Sequence, residues 1–169
     1  FSLNWSRIIP GGTGKVNEKA VKMYRDMILF MKEKGIEPFI SLFHWEYPQR
    51  LQEQGGWVSH QSPEWFGEYA KVAAKNFSDI CENFITIDEP QCFCNFGHVR
   101  GTHAPGYQLP LPLSFQMVHN ILKAHGRAVQ VLRKYADRPV KIGIAPTYSV
   151  PVPCTEESAD IEAARRAYF

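Results

Sequence analysis

The stretch Thr86-Ile87-Asp88-Glu89-Pro90 sets two carboxylates at the end of a short apolar run. Phe84, Ile85 and Ile87 read as strand, and Pro90 lacks the N–H that would carry a sheet ladder further. Glu89 is therefore expected at a strand tip, facing whatever lies beyond the carboxyl edge of the sheet. Two other runs end in the same manner: Phe39-Ile40-Ser41-Leu42-Phe43 leads into His44-Trp45, and Phe1-Ser2-Leu3-Asn4-Trp5 leads into Ser6-Arg7. A carboxyl group, an imidazole, an indole and a guanidinium on one edge can move a proton, stack on a ring and hold a charge. That set suits the chemistry of a sugar.

The elements between these tips read as helices. Asn17 is suited to cap a helix in which Ala20, Tyr24, Met27, Ile28 and Met31 recur at three- and four-residue steps, and Gly35 is placed to end it. Ser62-Pro63 reads as an N-cap followed by a first-turn proline, with Phe66, Tyr69, Val72, Ala73 and Phe77 as the buried stripe. A long loop is expected from Gln91 to Pro112, bordering a site, and then a helix buried along Phe115, Val118, Leu122, Val129 and Leu132. Val140 to Ala145 reads as a fourth strand, and Thr155 as the cap of a last helix. Four strand-then-helix units predict a parallel α/β sheet, because parallel strands need helical crossovers. Ligand sites in such sheets lie at the carboxyl ends of the strands, where the polar candidates fall.

Composition narrows the classes. With 44% hydrophobic residues, 21% charged residues and a formal net charge of +2, residues 1–169 read as one globular domain with no nucleic-acid or membrane-surface bias. No apolar run is long enough to span a bilayer. Gly11-Gly12-Thr13-Gly14-Lys15-Val16 fails the phosphate-loop pattern, since Val follows Gly-Lys where Ser or Thr is required. Cys92 and Cys94 lack zinc-pair spacing, so no metal is expected; Cys81, Cys92, Cys94 and Cys154 read as free thiols of a reducing, cytoplasmic setting. Trp5, Trp57 and Trp65 read as packing residues. His98, His103, His119 and His125 show no spacing that ties them to chemistry. The chain opens on Phe1 inside a strand-like run with no initiator Met, which reads as a truncated beginning.

Six segments in order then carry a family resemblance: Asn4-Trp5-Ser6-Arg7-Ile8, Gly35-Ile36-Glu37-Pro38, Leu42-Phe43-His44-Trp45, Gly55-Gly56-Trp57, Thr86-Ile87-Asp88-Glu89-Pro90 and His103-Ala104-Pro105-Gly106. Together they resemble family 1 glycoside hydrolases, the β-glucosidase family, from the first residue to about Pro146. The resemblance implies a TIM (β/α)8 barrel, of which this chain would be a part, strands two to five with their helices. It implies retaining hydrolysis of terminal β-D-glycosidic bonds in a small β-glucoside or β-linked oligosaccharide, a mechanism that needs neither metal nor cofactor. Glu89 matches the general acid/base. His44 and Trp45 match residues that contact the sugar in the innermost subsite, and Arg7 matches the arginine near the nucleophile.

Two departures stand out. The family has Asn immediately before the acid/base, and this chain has Asp88, whose ionised carboxylate can accept but not donate to a sugar hydroxyl. Asp88→Asn is therefore expected to improve turnover in a complete enzyme. The second departure is that no Thr-Glu-Asn-Gly-like segment supplies a nucleophile, so the chain alone is expected to be inactive. Two alternatives remain open from sequence. One is a non-catalytic carbohydrate-binding remnant. The other is a half barrel that self-associates through its open edges.

Overall fold

The computed structural model describes residues 1–168, the last of them by its backbone. In chain order the elements are α1 (Trp5–Ile8), α2 (Glu18–Glu33), β1 (Phe39–Phe43), α3 (Gln49–Gln52), a 3-10 turn (Gly56–Val58), α4 (Ser62–Phe77), β2 (Asn83–Asp88), α5 (Pro90–Cys92), π-helical turns (Phe93–Val99), α6 (Leu111–Tyr135), β3 (Lys141–Ala145) and α7 (Ser158–Tyr168). The sheet runs β1-β2-β3 and every pair is parallel. Each long helix follows the strand-helix order that parallel crossovers require.

Capping chemistry explains the helix ends. The Asn17 side chain accepts from the Ala20 N–H at the start of α2. At its end Gly35 adopts a left-handed φ of 73°, and the Gly35 and Ile36 N–H groups return to the Lys32 and Met31 carbonyls. An ion pair fastens α2 to the turn after α4, with both Arg25 nitrogens reaching Asp79 at 2.7 and 2.6 Å. The guanidinium holds the Asp79 carboxyl below its usual range.

The core is an aromatic mass between sheet and helices. Trp5 stacks on Tyr69 with centroids 5.0 Å apart and donates its indole N–H to the Gly12 carbonyl at 2.8 Å. Phe43, Phe66, Phe77 and Trp57 fill the space around them, and Trp5, Trp57 and Trp65 are all buried, as expected of packing residues. Asn120 of α6 clasps the turn that precedes α4: its amide donates to the Trp57, Val58 and Ser59 carbonyls, each at 3.0 Å.

Five expectations need correction. The Phe1–Trp5 run lies parallel to β1 only over Phe1–Leu3, with a single bridge, Ser2 with Ser41, because the Asn4 side chain accepts from the Arg7 N–H and turns the chain into α1. The span from 91 to 112 is helical as far as Val99, and only residues 100–110 form the loop. Its π-type bonding breaks the 3.6-residue period by which helices are recognised. Ser62 is no N-cap but lies inside α4, where its buried hydroxyl donates to the Trp57 carbonyl at 3.4 Å. Thr155 stands before α7 and closes a local turn by accepting from the Glu157 N–H at 3.2 Å.

The fifth concerns α6. Of the expected stripe, Leu132 is buried and Val129 half-buried, but Phe115, Val118 and Leu122 are exposed, and the buried face carries Met117, Asn120, Ile121, Ala124, Ala128 and Leu132. Small residues there let α6 approach the Ala70, Ala73 and Ala74 face of α4 closely. A Cβ added to Gly67 would stand 2.9 Å from the Arg127 side chain of α6. Periodicity favoured the more hydrophobic stripe, but close approach favoured the smaller one.

Candidate active site

The carboxyl ends of β1, β2 and β3 converge on one cluster. β2 ends at Asp88 with an irregularity against β3 between Ile85 and Asp88, where three steps on β2 match two on β3. Such a bulge re-aims the side chains that follow it. Thr86, upstream, bonds His125 of α6 at 2.7 Å, whereas Asp88 meets His44 at the tip of β1.

His44 Nδ1 lies 3.1 Å from Asp88 Oδ2. An ionised carboxylate only accepts, so the imidazole hydrogen sits on Nδ1 and Nε2 is left as the second ring nitrogen for a ligand. The Trp45 indole N–H donates to the Asp88 carbonyl at 3.2 Å. Its ring packs edge-on to His44 at 5.5 Å and against His103 at 5.8 Å. Trp45 thus offers a ligand its ring, with its N–H already engaged.

Glu89 follows at the tip of β2. Its N–H donates to the Ala145 carbonyl at 2.7 Å, and its Oε1 accepts from the Thr147 hydroxyl at 2.7 Å. Gln91 Nε2 donates to the Thr147 carbonyl from the turn of α5. Thr147, two residues beyond β3, therefore holds the carboxylate from one side.

Backbone strain marks the same place. Among the described residues, the non-glycine positions at positive φ are Trp45 at 80° and Glu89 at 45°. Such conformations cost about 1–3 kcal/mol each and persist where surrounding contacts hold them, most often at functional sites. Both are candidates that the sequence singled out.

Arg7 is placed apart from this cluster. On α1, its guanidinium lies 3.8 Å from Met23 Sδ on α2, and it forms no ion pair among the described residues. Sequence reasoning passed over Thr147 and His103. Thr147 follows the Val140–Ala145 run by two residues, so the strand-tip argument that found Glu89 would have found it. His103 had no such signal, because a π-turn and a reversal of the chain carry it to Trp45. His125, also passed over, bonds Thr86 behind the site, and burial lowers its pKa. Among the described residues, no group of three or more His, Cys, Asp or Glu side chains is placed to hold a metal ion.

A family model described as Glycosyl hydrolase family 1 matches residues 1–169. Beta-glucosidase A of Thermotoga maritima is 42% identical over 165 residues, which is 98% of this chain and 36% of that protein. Beta-glucosidase A of Acetivibrio thermocellus is 40% identical over 168 residues, 99% of this chain and 37% of that protein. Among solved structures, the Thermotoga maritima β-glucosidase in complex with deoxynojirimycin superposes with a TM-score of 0.90 at 42% identity, covering 98% of this chain and 37% of that one. The same enzyme in complex with glucoimidazole also gives 0.90. The chain thus spans a little over a third of the length of the curated relatives it matches.

Proposed function

The chain belongs to glycosyl hydrolase family 1 and is a partial (β/α) barrel, and from that premise we propose that it carries the acid/base half of a retaining β-glucosidase. Glu89, protonated, gives its proton to the glycosidic oxygen as the bond to the anomeric carbon breaks. As a carboxylate it then takes a proton from the water that releases the sugar. Thr147 holds Oε1 and thereby fixes the carboxyl plane. His44, oriented by Asp88, presents Nε2 to a ring hydroxyl, and the Trp45 ring forms a wall of the sugar site. The attacking carboxylate, roughly 5 Å from Glu89 in a retaining site, comes from outside the motifs of this chain. A small β-glucoside or β-linked oligosaccharide is the substrate this reading supplies, and a cytoplasmic location goes with the free thiols.

The observation that carries the reading is Glu89 itself, held in a strained left-handed backbone at a strand tip with a hydroxyl donor on one oxygen. The test is hydrolysis of 4-nitrophenyl β-D-glucoside by the complete protein that contains these residues. Glu89→Gln keeps the shape and removes the proton, so kcat should fall by about 10²–10⁴-fold. Wild-type turnover in that variant would end the proposal.

A further inference from the structure

Thr86 stands where β2 and β3 fall out of step. Ile85 pairs with Gly143, but Asp88 pairs with Ala145, so β2 takes up one extra residue between them. A regular pleat sends residues two apart to the same face. Thr86 and Asp88 would then both face α6. Instead Thr86 meets His125 of α6, whereas Asp88 reaches His44 at the tip of β1. The extra residue therefore reverses the facing of the strand end just before Glu89.

Side chains hold this irregularity in place. Thr86 is fully buried, and its hydroxyl donates to the Gly143 carbonyl at 3.2 Å. A hydroxyl has a single hydrogen, so with that hydrogen on Gly143 its oxygen accepts from the imidazole 2.7 Å away. His125 Nδ1 therefore carries a hydrogen. His125 lies one helical turn from Ile121 and from Ala128, both buried, and this is the one hydrogen bond its ring makes among the described residues. Further along, the Glu89 N–H donates to the Ala145 carbonyl and the Thr147 hydroxyl donates to Glu89 Oε1, both at 2.7 Å. The end of β2 is thus tied at alternate residues of the neighbouring chain, Gly143, Ala145 and Thr147. Thr86 makes the first tie, and His125 orients it.

We propose that His125 is a positioning residue for Glu89, setting the carboxyl at the strand tip through Thr86 and the bulge. Its effect on rate rests on Glu89 being the acid/base; the hydrogen bonds themselves do not. A misplacement of about 1 Å can cost about 10²-fold in rate, even when its cause lies far from the chemistry. Loss of the clasp lets β2 return toward the regular pleat, which carries Asp88 and then Glu89 away from the tips of β1 and β3.

The test is hydrolysis of 4-nitrophenyl β-D-glucoside by the complete protein. His125→Leu removes the donor, and kcat should fall about 10- to 100-fold at a temperature where melting shows the variant folded. His125→Asn sets an N–H near the position of Nδ1–H and should recover most of that rate. Thr86→Val keeps the shape and deletes the hydroxyl. Its loss should match that of His125→Leu, and the double variant should lose no more than either alone. Thr86→Val also carries the test should His125→Leu not fold. Either variant turning over at the wild-type kcat with only a lower Tm overturns the proposal, because the clasp then holds α6 to the sheet and nothing more. Losses that multiply in the double variant overturn it too. A wild-type protein that hydrolyses no glucoside sinks the acid/base reading instead, and the ring tautomer then decides the clasp. Nitrogen NMR should find the hydrogen on His125 Nδ1, and a hydrogen on Nε2 alone overturns the proposal.

Discussion

Thr147 is the residue on which the acid/base reading can be tested without touching a carboxylate. Its hydroxyl donates to Glu89 Oε1 at 2.7 Å. A hydrogen bond to a charged group contributes about 1.5–3 kcal/mol, and each 1.4 kcal/mol is about tenfold in rate, so Thr147→Val should lower kcat about 10- to 100-fold. KM should stay near the wild-type value, and Thr147→Ser should restore most of the rate. A raised KM with intact kcat would show that Thr147 only shapes the pocket. Asp88 carries the opposite expectation. In Asp88→Asn the amide oxygen still accepts from His44 Nδ1–H, while the new NH2 gains the power to donate to a sugar hydroxyl. Steady-state kinetics on an aryl β-glucoside should show a higher kcat/KM, and an unchanged or lower value sinks the idea.

At the scale of elements, the legible parts were those whose signal is local. Apolar runs bounded by breakers gave Phe39–Phe43, the strand around Ile85 and Ile87, and the strand before Pro146. Asn17 and Gly35 gave both ends of α2. What escaped depended on partners far along the chain. The π-turns that bury His98 have no 3.6-residue period, the loop after them returns His103 to Trp45, and the buried face of α6 was decided by the small residues of α4. Glycine positions test this local logic. Gly12 has φ 82° and a Cβ there would meet Leu51 Cγ at 2.4 Å, whereas Gly35 has φ 73° and open space. Urea midpoints should give a cost of about 1–2 kcal/mol for Gly35→Ala, from backbone strain alone. Gly12→Ala should cost a further 1–3 kcal/mol or so from overpacking. Equal costs would mean that Leu51 moves aside freely. The buried histidines add a pH dependence. Burial lowers the pKa of His98 and of His125 below 6.5, so below that value the unfolded chain binds more protons than the folded one. Their stabilisation is complete above 6.5 and is lost as pH falls from there toward the folded pKa values. Asp79, held low by Arg25, adds a second loss below 3.8. Thermal melts across the mildly acidic range should show Tm falling with pH, with a shallower slope in His98→Gln.

At the scale of the whole molecule, the surfaces left open have a direction. Leu111, Phe115 and Leu122 of α6 are more than half exposed, and so is Phe30 of α2. β3 is paired on one side only, within a three-stranded sheet whose last strand is nowhere fully buried. Among the described residues, the helix that follows it, α7, contributes none to the buried core. In a closed barrel of about eight strands such edges and faces are covered by the next strand and helix. The matched relatives, nearly three times as long, have the chain to do so. Residues 1–169 alone would have to cover these faces with one another, since unpaired ladder groups and a contiguous apolar helix face both favour association. Sedimentation of that isolated segment should therefore give a mass that rises with concentration. Phe115→Glu with Leu122→Lys, which sit outside the buried face of α6, should push the mass back toward the monomer without loss of helix signal. A wild-type mass that stays monomeric at every concentration would mean that the open edges protect themselves. If the mass does rise, a glucose-like inhibitor that leaves it unchanged would separate edge pairing from any response of the sugar site.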